Sequence, residues 1–569
     1  MTKAALSYND LTISFKKCSG TIPPPLVGAS VSALGSKIFV VAGRLVSNRQ
    51  MTNDIYVLDK PSGRWERLPS GPQPPPARYF HSACAKGSRI YIFGGMGAKS
   101  GAEGALCVFN DLSWYDVRAQ LWKTVEASPV QPPARYAHLA VITDEQLIVI
   151  GGQNLDNHYL RDLARFDLRR QEWLPPTQID PEFGSYRSLA VALDTVDQDR
   201  PKMRPSCDTS ELQDSERAGQ VLLFSNYNFA DVHRDLYNIT SGNSGVPEIT
   251  DLSNRLCGQT LPPGLRFPSG YRCGQRYLVV SGVYMLAHDQ SLELWLLDLD
   301  DLSWIPIDTG TVGSKGSWNK GCFCDYDNTF MMLGNMDRSL AEDYNHRQSN
   351  FEHMVSFDLE AHGIYSPQRN DLPTAAIELG LSQLADGLNA DLDIVTQERT
   401  IISVSCRVLS ARWGLFQTLI QQADESSDPD SPHRRTRPGS LPMSTYTKRH
   451  PYGDRSRCLY MPYNHATVSA FIRFIYSETL PSSVDTSAHS TCSLLLMAVS
   501  VADHNSPTVE NLIALCKARL HGMLDVHNAS MIYETCTLTR HTGLQIRALR
   551  LMLASRNDIG QHNESASLA

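Results

Sequence analysis

The sequence predicts an all-β ring of six four-stranded sheets, a six-bladed β-propeller, followed by an α/β domain with C-terminal helices. Three observations predict it. A repeat with a period of about fifty residues runs over the first part of the 569-residue chain. A Gly or Asn ends the same apolar strand in every copy. After about residue 370, apolar spacing changes from alternation by two to the three-and-four spacing of helices. The length alone exceeds the ~250–300 residues at which single cores stop growing, so at least two domains are expected.

The repeat is clearest in residues 28–44, 77–95 and 134–152, each a small-residue strand, a tight polar turn and a strongly apolar strand ending in glycine. Fainter copies occupy 185–226, 268–282 and 316–335. The strand-ending positions are Gly43, Gly95, Gly152, Asn226, Gly282 and Asn335, the residue types that most readily take positive φ. The pattern therefore predicts the same change of direction six times. One interval is longer than the rest because residues 195–219, polar and poor in aliphatics, form an insertion expected to be a flexible loop.

A second signature follows each turn: an apolar strand ends in Asp, and a large apolar residue stands six positions on. Asp59 leads to Trp65, Asp116 to Trp122, Asp167 to Trp173, Asp298 to Trp304 and Asp358 to Ile364, with Thr240 and Val246 in the fourth copy. Such an Asp can accept hydrogen bonds from turn backbone, and the aromatic can cover the gap to the next sheet. A single four-stranded unit cannot bury both its faces, so six of them stack in a ring. Residues 1–25 form an N-terminal segment whose stretch SYNDLTISF is placed to complete the last sheet.

In the second half, Ile377, Leu381, Leu384 and Leu388 share one face of a helix over 376–389. Short strands and a helix carrying Val408, Leu409, Phe416 and Leu419 follow in 391–420. Residues 424–457, rich in Ser, Pro and charge, read as a disordered insertion. Helices are expected over 465–480, 491–504 and 508–524, then a helical pair over 525–555 with Asn528 or Ser530 as caps, and a disordered tail over 556–569.

The period, the Gly-Gly pairs and the spaced aromatic together resemble the kelch repeat, over about residues 26–370. The later part resembles the BTB/POZ fold over 371–524. Its motifs are matched by Val408-Leu409-Ser410-Ala411-Arg412 with Phe416, by Phe471-Ile472-Arg473-Phe474-Ile475-Tyr476-Ser477, and by Ala502 through Leu512 and Cys516. The family's usual His before the first of these helices is replaced by Ser405 and Cys406. Kelch first and BTB second resembles the fungal kelch–BTB regulators that act in Ras activation, mating and morphogenesis or in sporulation near TOR signalling. It also resembles the animal leucine-zipper-like kelch–BTB adaptors of cullin ubiquitin ligases. The resemblance implies a non-enzymatic scaffold that binds a protein partner, such as a small-GTPase regulator, a kinase-pathway component or a cullin. It further implies a homodimer formed through Leu381 and Leu384 on helix 376–389.

Composition fits these expectations. Hydrophobic residues are 42% and charged residues 20%, with a net charge of −8, which argues against a chain dominated by nucleic-acid contacts. A signal-peptide core and an apolar run of ~18 residues are missing, so a cytoplasmic protein is expected without membrane insertion. The 13 Cys are scattered and odd in number, as reduced core residues are. Cys322 and Cys324 lack the second ligand pair of a zinc site, so no metal and no cofactor are expected. Fingerprints of a P-loop, a nucleophile elbow, a zinc-protease helix and a dinucleotide site are all missing. A copper-radical oxidase on a kelch propeller is disfavoured by the missing leader and the count of six sheets. The basic run 433–437 reads as a solvated loop, with a nuclear signal or phosphate-binding patch as the alternative, and Ser431-Pro432 with Ser440 suit kinase regulation.

In an antiparallel four-stranded unit, alternate connections share one face. That face gathers Arg44, Arg49, Arg78, Tyr79, Arg135, Tyr136, Asn154, His158, Tyr186, Arg187, Tyr227, Tyr284 and Arg338. Arg with Tyr is the composition of interface hot spots, and the guanidinium fork fits carboxylates and phosphates, although Arg78 and Arg135, being repeat positions, equally fit a role bracing neighbouring sheets. An acidic or phosphorylated protein segment is the expected ligand.

Overall fold

The computed structural model describes residues 11–99, 105–126, 128–143, 145–180, 182–193, 220–241, 247–274, 276–286, 289–324, 327–365, 373–387, 389–418, 444–449, 455–480, 487–503 and 506–567. The insertion at 195–219, residues 424–443 with the basic run, and Val246 fall outside them. Two compact units divide at Ile364 and Tyr365.

The first unit is all-β and propeller-like. Its six main sheets each begin with a strand nearest the axis: β1 (Ser30–Leu34), β2 (Ser82–Lys86), β3 (Leu139–Ile142), β4 (Ser188–Leu193), β5 (Arg266–Cys273) and β6 (Ser317–Cys324). Each pairs antiparallel with the next strand of its own sheet, and further strands add outward. Consecutive first strands touch one another around the axis, and β6 touches β1. The outermost strand of the sixth sheet is Ile13–Lys17, which pairs with His353–Asp358. Ser19–Gly20 then pairs parallel with Arg64–Leu68 of the first sheet, so the start of the unit is stitched to two neighbouring sheets.

The apolar core lies between sheets. One cluster joins the first and sixth sheets through Ile38, Val40, Cys322, Met331 and Leu333. Another joins the fourth and fifth through Leu222, Phe224, Val280 and Trp304. Trp65, Trp122, Trp173, Trp304 and Ile364 are all buried, so the tryptophans of four repeats and the isoleucine of the sixth fill such gaps. The Asp six residues earlier caps the turn. Asp116 accepts from the Arg118 and Ala119 amides at 3.0 Å, Asp167 from Arg169 and Arg170 at 2.8 Å, and Asp358 from Glu360 at 2.9 Å. Those amides lower the Asp116 pKa below the usual carboxylate value.

The strand-ending positions do not all take the left-handed conformation. Gly43, Gly95 and Gly152 have φ of 121°, 96° and 91°, but Asn226, Gly282 and Asn335 stay in extended strand. At Gly282 the requirement is space, because a Cβ would lie 2.8 Å from that of Leu265. At Asn226 the side chain bonds instead, as described below.

The second unit is α/β. Strands β7 (Leu392–Val395), β8 (Ile401–Val404), β9 (Ser444–Arg449) and β10 (Arg455–Tyr460) form one sheet in the order β8-β7-β10-β9, with β7 parallel to β10. The stretch expected to be disordered over 424–457 thus contributes β9 and the first three residues of β10, which pair antiparallel with each other. Ahead of the sheet lies a helix Thr374–Ala385, and around it lie Cys406–Arg412, His465–Ser477, Ala488–Val501, Pro507–Met523, Ala529–Thr539 and Thr542–Ser567. The last helix continues through residues expected to be a disordered tail; its run Ser555 to Ser567 contains no proline to stop it.

One cluster fills this unit. Trp413, Phe416, Phe471, Leu495, Leu512 and Cys516 are fully buried together. The Trp413 indole donates to the Val501 carbonyl at 3.1 Å and meets Phe471 edge-on at 5.1 Å. Ser405, where the resemblance lacks its His, donates its amide to the Tyr476 hydroxyl at 2.8 Å. Leu381 and Leu384 are half-buried, and Leu384 packs on the unit's own core. Gly380 lies so close to the Tyr476 carbonyl that a Cβ there would clash. The apolar face expected to be free is therefore partly spent inside the unit, and Leu379, 67% exposed, is the uncovered apolar residue of that helix.

Candidate partner-binding face

Backbone geometry fixes the mouth of the ring. Phe80, Ala137 and Phe267, which enter the second, third and fifth sheets, all hold positive φ, 54°, 51° and 49°. Non-glycine residues in that region are strained and persist where surrounding contacts hold them. Here the contacts are visible. The Phe80 amide donates to the Gly28 carbonyl at 2.8 Å, Ala137 to Phe80 at 2.9 Å, Ser185 to Ala137 at 3.0 Å and Phe267 to Tyr186 at 2.8 Å. A backbone chain of hydrogen bonds thus passes from the first sheet to the fifth around the axis.

Aromatic side chains stand on that chain. Tyr79 packs on Phe80 at 4.9 Å, and Tyr186 meets Phe229 and Phe267 edge-on at 5.9 and 5.1 Å. Over them reaches the connection of the sixth sheet, which carries helix α1 (Leu340–His346). Its Tyr344 lies 6.1 Å from Phe267 and shares a 2.9 Å hydrogen bond with the Tyr186 hydroxyl. Although Tyr186 is 38% exposed overall, partial desolvation, with that hydrogen bond, pushes its pKa up to about 12. Arg347 ends α1 in the left-handed conformation and sits 5.8 Å over Phe80. Arg266 lies over both Phe229 and Tyr344, at 4.8 and 5.4 Å.

Asp343 anchors α1. It is fully buried, takes a 2.8 Å hydrogen bond from Arg338 and accepts from Asn350. Gln348–Ser349, just beyond, pairs with Leu26–Val27 of the first sheet. The connection is thereby held at both ends.

The expected face residues divide into three groups. Arg78 and Arg135 take the bracing role that their repeat positions also allowed, not the ligand-binding one: they are 1% and 0% exposed. Arg78 forks onto Asp111 at 2.8 and 2.7 Å and donates to the Gly94 carbonyl. Arg135 does the same with Asp162 and Gly151. Each clamps the segment entering its sheet to the connection between that sheet's second and third strands, so neither is available to a ligand. Tyr79 and Tyr136 are likewise buried, with Tyr136 donating to Asn157. Arg338 is committed to Asp343, and Asn154 caps its own turn by accepting from the Asp156 and His158 amides at 3.0 and 2.9 Å. Tyr284 lies within strand Tyr277–Leu286, opposite Ser291.

The remaining residues are accessible. Arg44 is half-buried over Tyr79 at 5.0 Å, Arg187 lies 5.9 Å over Tyr227, and Tyr227 stacks on His233. Tyr186, Arg49 and His158 are exposed. The buried Nε atoms of Arg44, Arg187 and Arg266 have no hydrogen-bond partner among the described residues. Acids are present as well. Asp235 interacts with Arg187, and burial raises its pKa, while Glu342 is exposed on α1.

Sequence reasoning did not find Phe80, Phe229, Arg266, Phe267, Tyr344 or Arg347. The signal for two of them was present, since Phe80 follows Tyr79 and Phe267 follows Arg266 at the entrances of repeats. The α1 residues lie in a connection with no counterpart in the other repeats.

The described residues include no group of three or more His, Cys, Asp or Glu that could hold a metal ion, and no helix long and apolar enough to cross a membrane. The model of the KLHDC2/KLHL20/DRC7 Kelch-repeats domain matches residues 4–195. Human Kelch domain-containing protein 3 is 30% identical over 26% of this chain and 40% of its own. The solved structure of YjhT covers 55% of this chain and 91% of its own at 14% identity and a TM-score of 0.38. Protein ral2 of Schizosaccharomyces pombe is 33% identical over 96% of this chain and 94% of its own length. With kelch repeats in its first unit and near full-length similarity to that protein, the chain belongs to the ral2 family.

Proposed function

We propose that this chain is a non-enzymatic signalling scaffold: a six-bladed kelch propeller captures a protein partner at its arginine–aromatic mouth, and a BTB-type domain dimerises or recruits a second partner. The observation that carries this reading is the mouth itself. Strained backbone at Phe80 and Phe267 holds aromatic rings in place, while Arg44, Arg187, Arg266 and Arg347 lie over ring faces and form no salt bridge within 4.0 Å among the described residues, Arg187 interacting with Asp235 at longer range. Fixed aromatics and stacked arginines make interface anchors at low entropic cost. An acidic or phosphorylated protein segment suits them best. The kelch-then-BTB order and the ral2 relationship support a role in Ras- or TOR-linked control of fungal mating, sporulation or morphogenesis, exercised in the cytoplasm.

The test is affinity capture with the full chain and its Arg266→Glu/Arg347→Glu variant. We expect loss of the main captured protein with a thermal midpoint within a few degrees of native. Retained capture would remove the mouth from the mechanism. A second reading, an adaptor for a cullin-RING ligase, is favoured by Leu538, 74% exposed on helix Ala529–Thr539, and Val526, 54% exposed just before it. A Leu538→Glu variant that loses a co-captured cullin would select it. Light scattering on a Leu379→Glu variant tests self-association separately, with a dimer expected for the native chain and a monomer for the variant.

A further inference from the structure

The six strands around the axis of the first unit contain four cations, Lys86, Arg266, Arg272 and Lys320, and no Asp or Glu. These strands are not sealed. Every residue of β2 is half-buried, as are Ser30, Ala140, Arg272, Asn319 and Lys320, although all lie at the centre of the unit. Their solvent access is therefore along the axis.

Three of the cations are accounted for, Arg272 among them. Lys86 donates to the Thr143 carbonyl at 2.6 Å at one end of the ring, and Arg266 stacks on rings at the other. Lys320 lies between them, in the middle of β6. Burial alone lowers its ammonium below the usual lysine value, and no carboxylate among the described residues offsets that. No hydrogen bond or ion pair to a described residue holds it either. Asp327, which follows the strand, is taken by Lys60 at 2.5 Å. Lys320 and Arg78 both act on His81, which burial keeps neutral, and Arg78 is itself bound to Asp111. Hydroxyl and imidazole donors stand nearby, with Ser30 bonded to His81 at 2.9 Å.

Lys320 is half-buried, so its ammonium is only partly hydrated, and a narrow passage lined by one sign of charge concentrates counter-ions. We infer that the axial channel of the first unit is a binding site for a small multivalent oxyanion of the phosphate type, held on Lys320. The site is separate from the protein-binding mouth and does not depend on that reading.

The probe is inorganic phosphate, titrated calorimetrically into the full chain with ionic strength fixed by chloride. One binding event is expected, weakened at least about tenfold in Lys320→Met, as when one member of a desolvated charge pair is removed. Equal binding by that variant, or none by the native chain, overturns the inference. A measurement on the native chain stands beside it in case the variant does not fold. Phosphate, but not chloride, should slow acetylation of Lys320 by at least about fivefold, read by peptide mass spectrometry, as occupancy by mass action requires. An unchanged rate overturns the inference as well.

Discussion

The second and third sheets and the fourth sheet solve one problem with different atoms. At each junction around the mouth, the segment entering one sheet must be fastened to the sheet before it. Gly95 gives its amide to the Arg135 carbonyl and Gly152 to that of Phe183, both at 2.8 to 2.9 Å, and the arginine clamps lock the entering segments of these two sheets. From the fourth sheet to the fifth there is no Gly-Gly pair and, among the described residues, no buried Arg–Asp fork, although Arg234 donates to the Pro262 carbonyl at 2.7 Å. Asn226, fully buried, accepts from the Leu265 amide at 2.8 Å and donates to the Arg187 carbonyl at 3.0 Å. A side chain has taken over what backbone does elsewhere. Repeat geometry is thus maintained by interchangeable hydrogen-bonding devices, and only one of them requires glycine.

The comparison is broken most strongly at the clamp. Asp162→Ala leaves Arg135 charged, buried and unpaired, and should lower stability by about 3–5 kcal/mol, measured by urea unfolding of the full chain. A loss under 1 kcal/mol would mean that the clamp is dispensable and the glycines suffice.

Acid sharpens the difference next. His81 and His138, present in the second and third sheets only, each hand Nε2 to a serine of the preceding sheet, Ser30 and Ser82. Burial pulls His81 down to about 3 from an ordinary 6.5, and His138 falls well below it too. Between pH 6.5 and 3 the unfolded chain then binds more protons than the folded one, so stability falls as pH falls. The contribution is complete above 6.5 and is lost at up to about 1.4 kcal/mol per pH unit for each His, or about 2 kcal/mol by pH 5. His81→Gln should flatten that slope in urea midpoints taken from pH 7 to 5. An unchanged slope would show that His81 is charged in the fold.

The side-chain device should be weaker than the clamp. Asn226→Ala strands the Leu265 amide and should cost about 1–2 kcal/mol, with earlier hydrogen exchange at Leu265 than at the amides of Gly95 and Gly152. Synchronous exchange would erase the distinction between the two kinds of junction. At the small end, Arg49→Ala on the exposed rim should change stability by less than about 0.5 kcal/mol, in contrast to Arg135→Ala. Equal losses would remove the division between bracing and accessible arginines.

The same contrast explains what could be seen in the sequence. Positions that must be glycine, or Asp capping a turn, are constrained by backbone geometry and stand out at a regular spacing; that is why the first three copies were plain. Asn226 and Asn335 fitted the pattern for the wrong reason, since neither takes positive φ. From their repeat positions Arg78 and Arg135 fit a hot spot and a brace equally, and only the distant Asp111 and Asp162 beside them decide for the brace. The α1 residues occur once, in a connection without a repeat, so spacing could not mark Tyr344 or Arg347. In the second unit, helical spacing revealed the elements, but the side of helix Thr374–Ala385 that packs on its own unit depends on Gly380 meeting Tyr476, a contact far apart in sequence.

The pairing of Ile13–Lys17 with His353–Asp358 sets a timetable for synthesis. At roughly 5–20 residues per second, a ribosome needs tens of seconds to make the chain between these partners. Throughout that interval the strand ISFKK has an open edge and no mate. An unpaired edge invites the edges of other nascent chains, and consecutive lysines are a known deterrent to such pairing. Lys16 and Lys17 therefore protect a molecule that does not yet exist in finished form, and replacing both with Val should lower soluble yield while leaving the finished protein as stable as before.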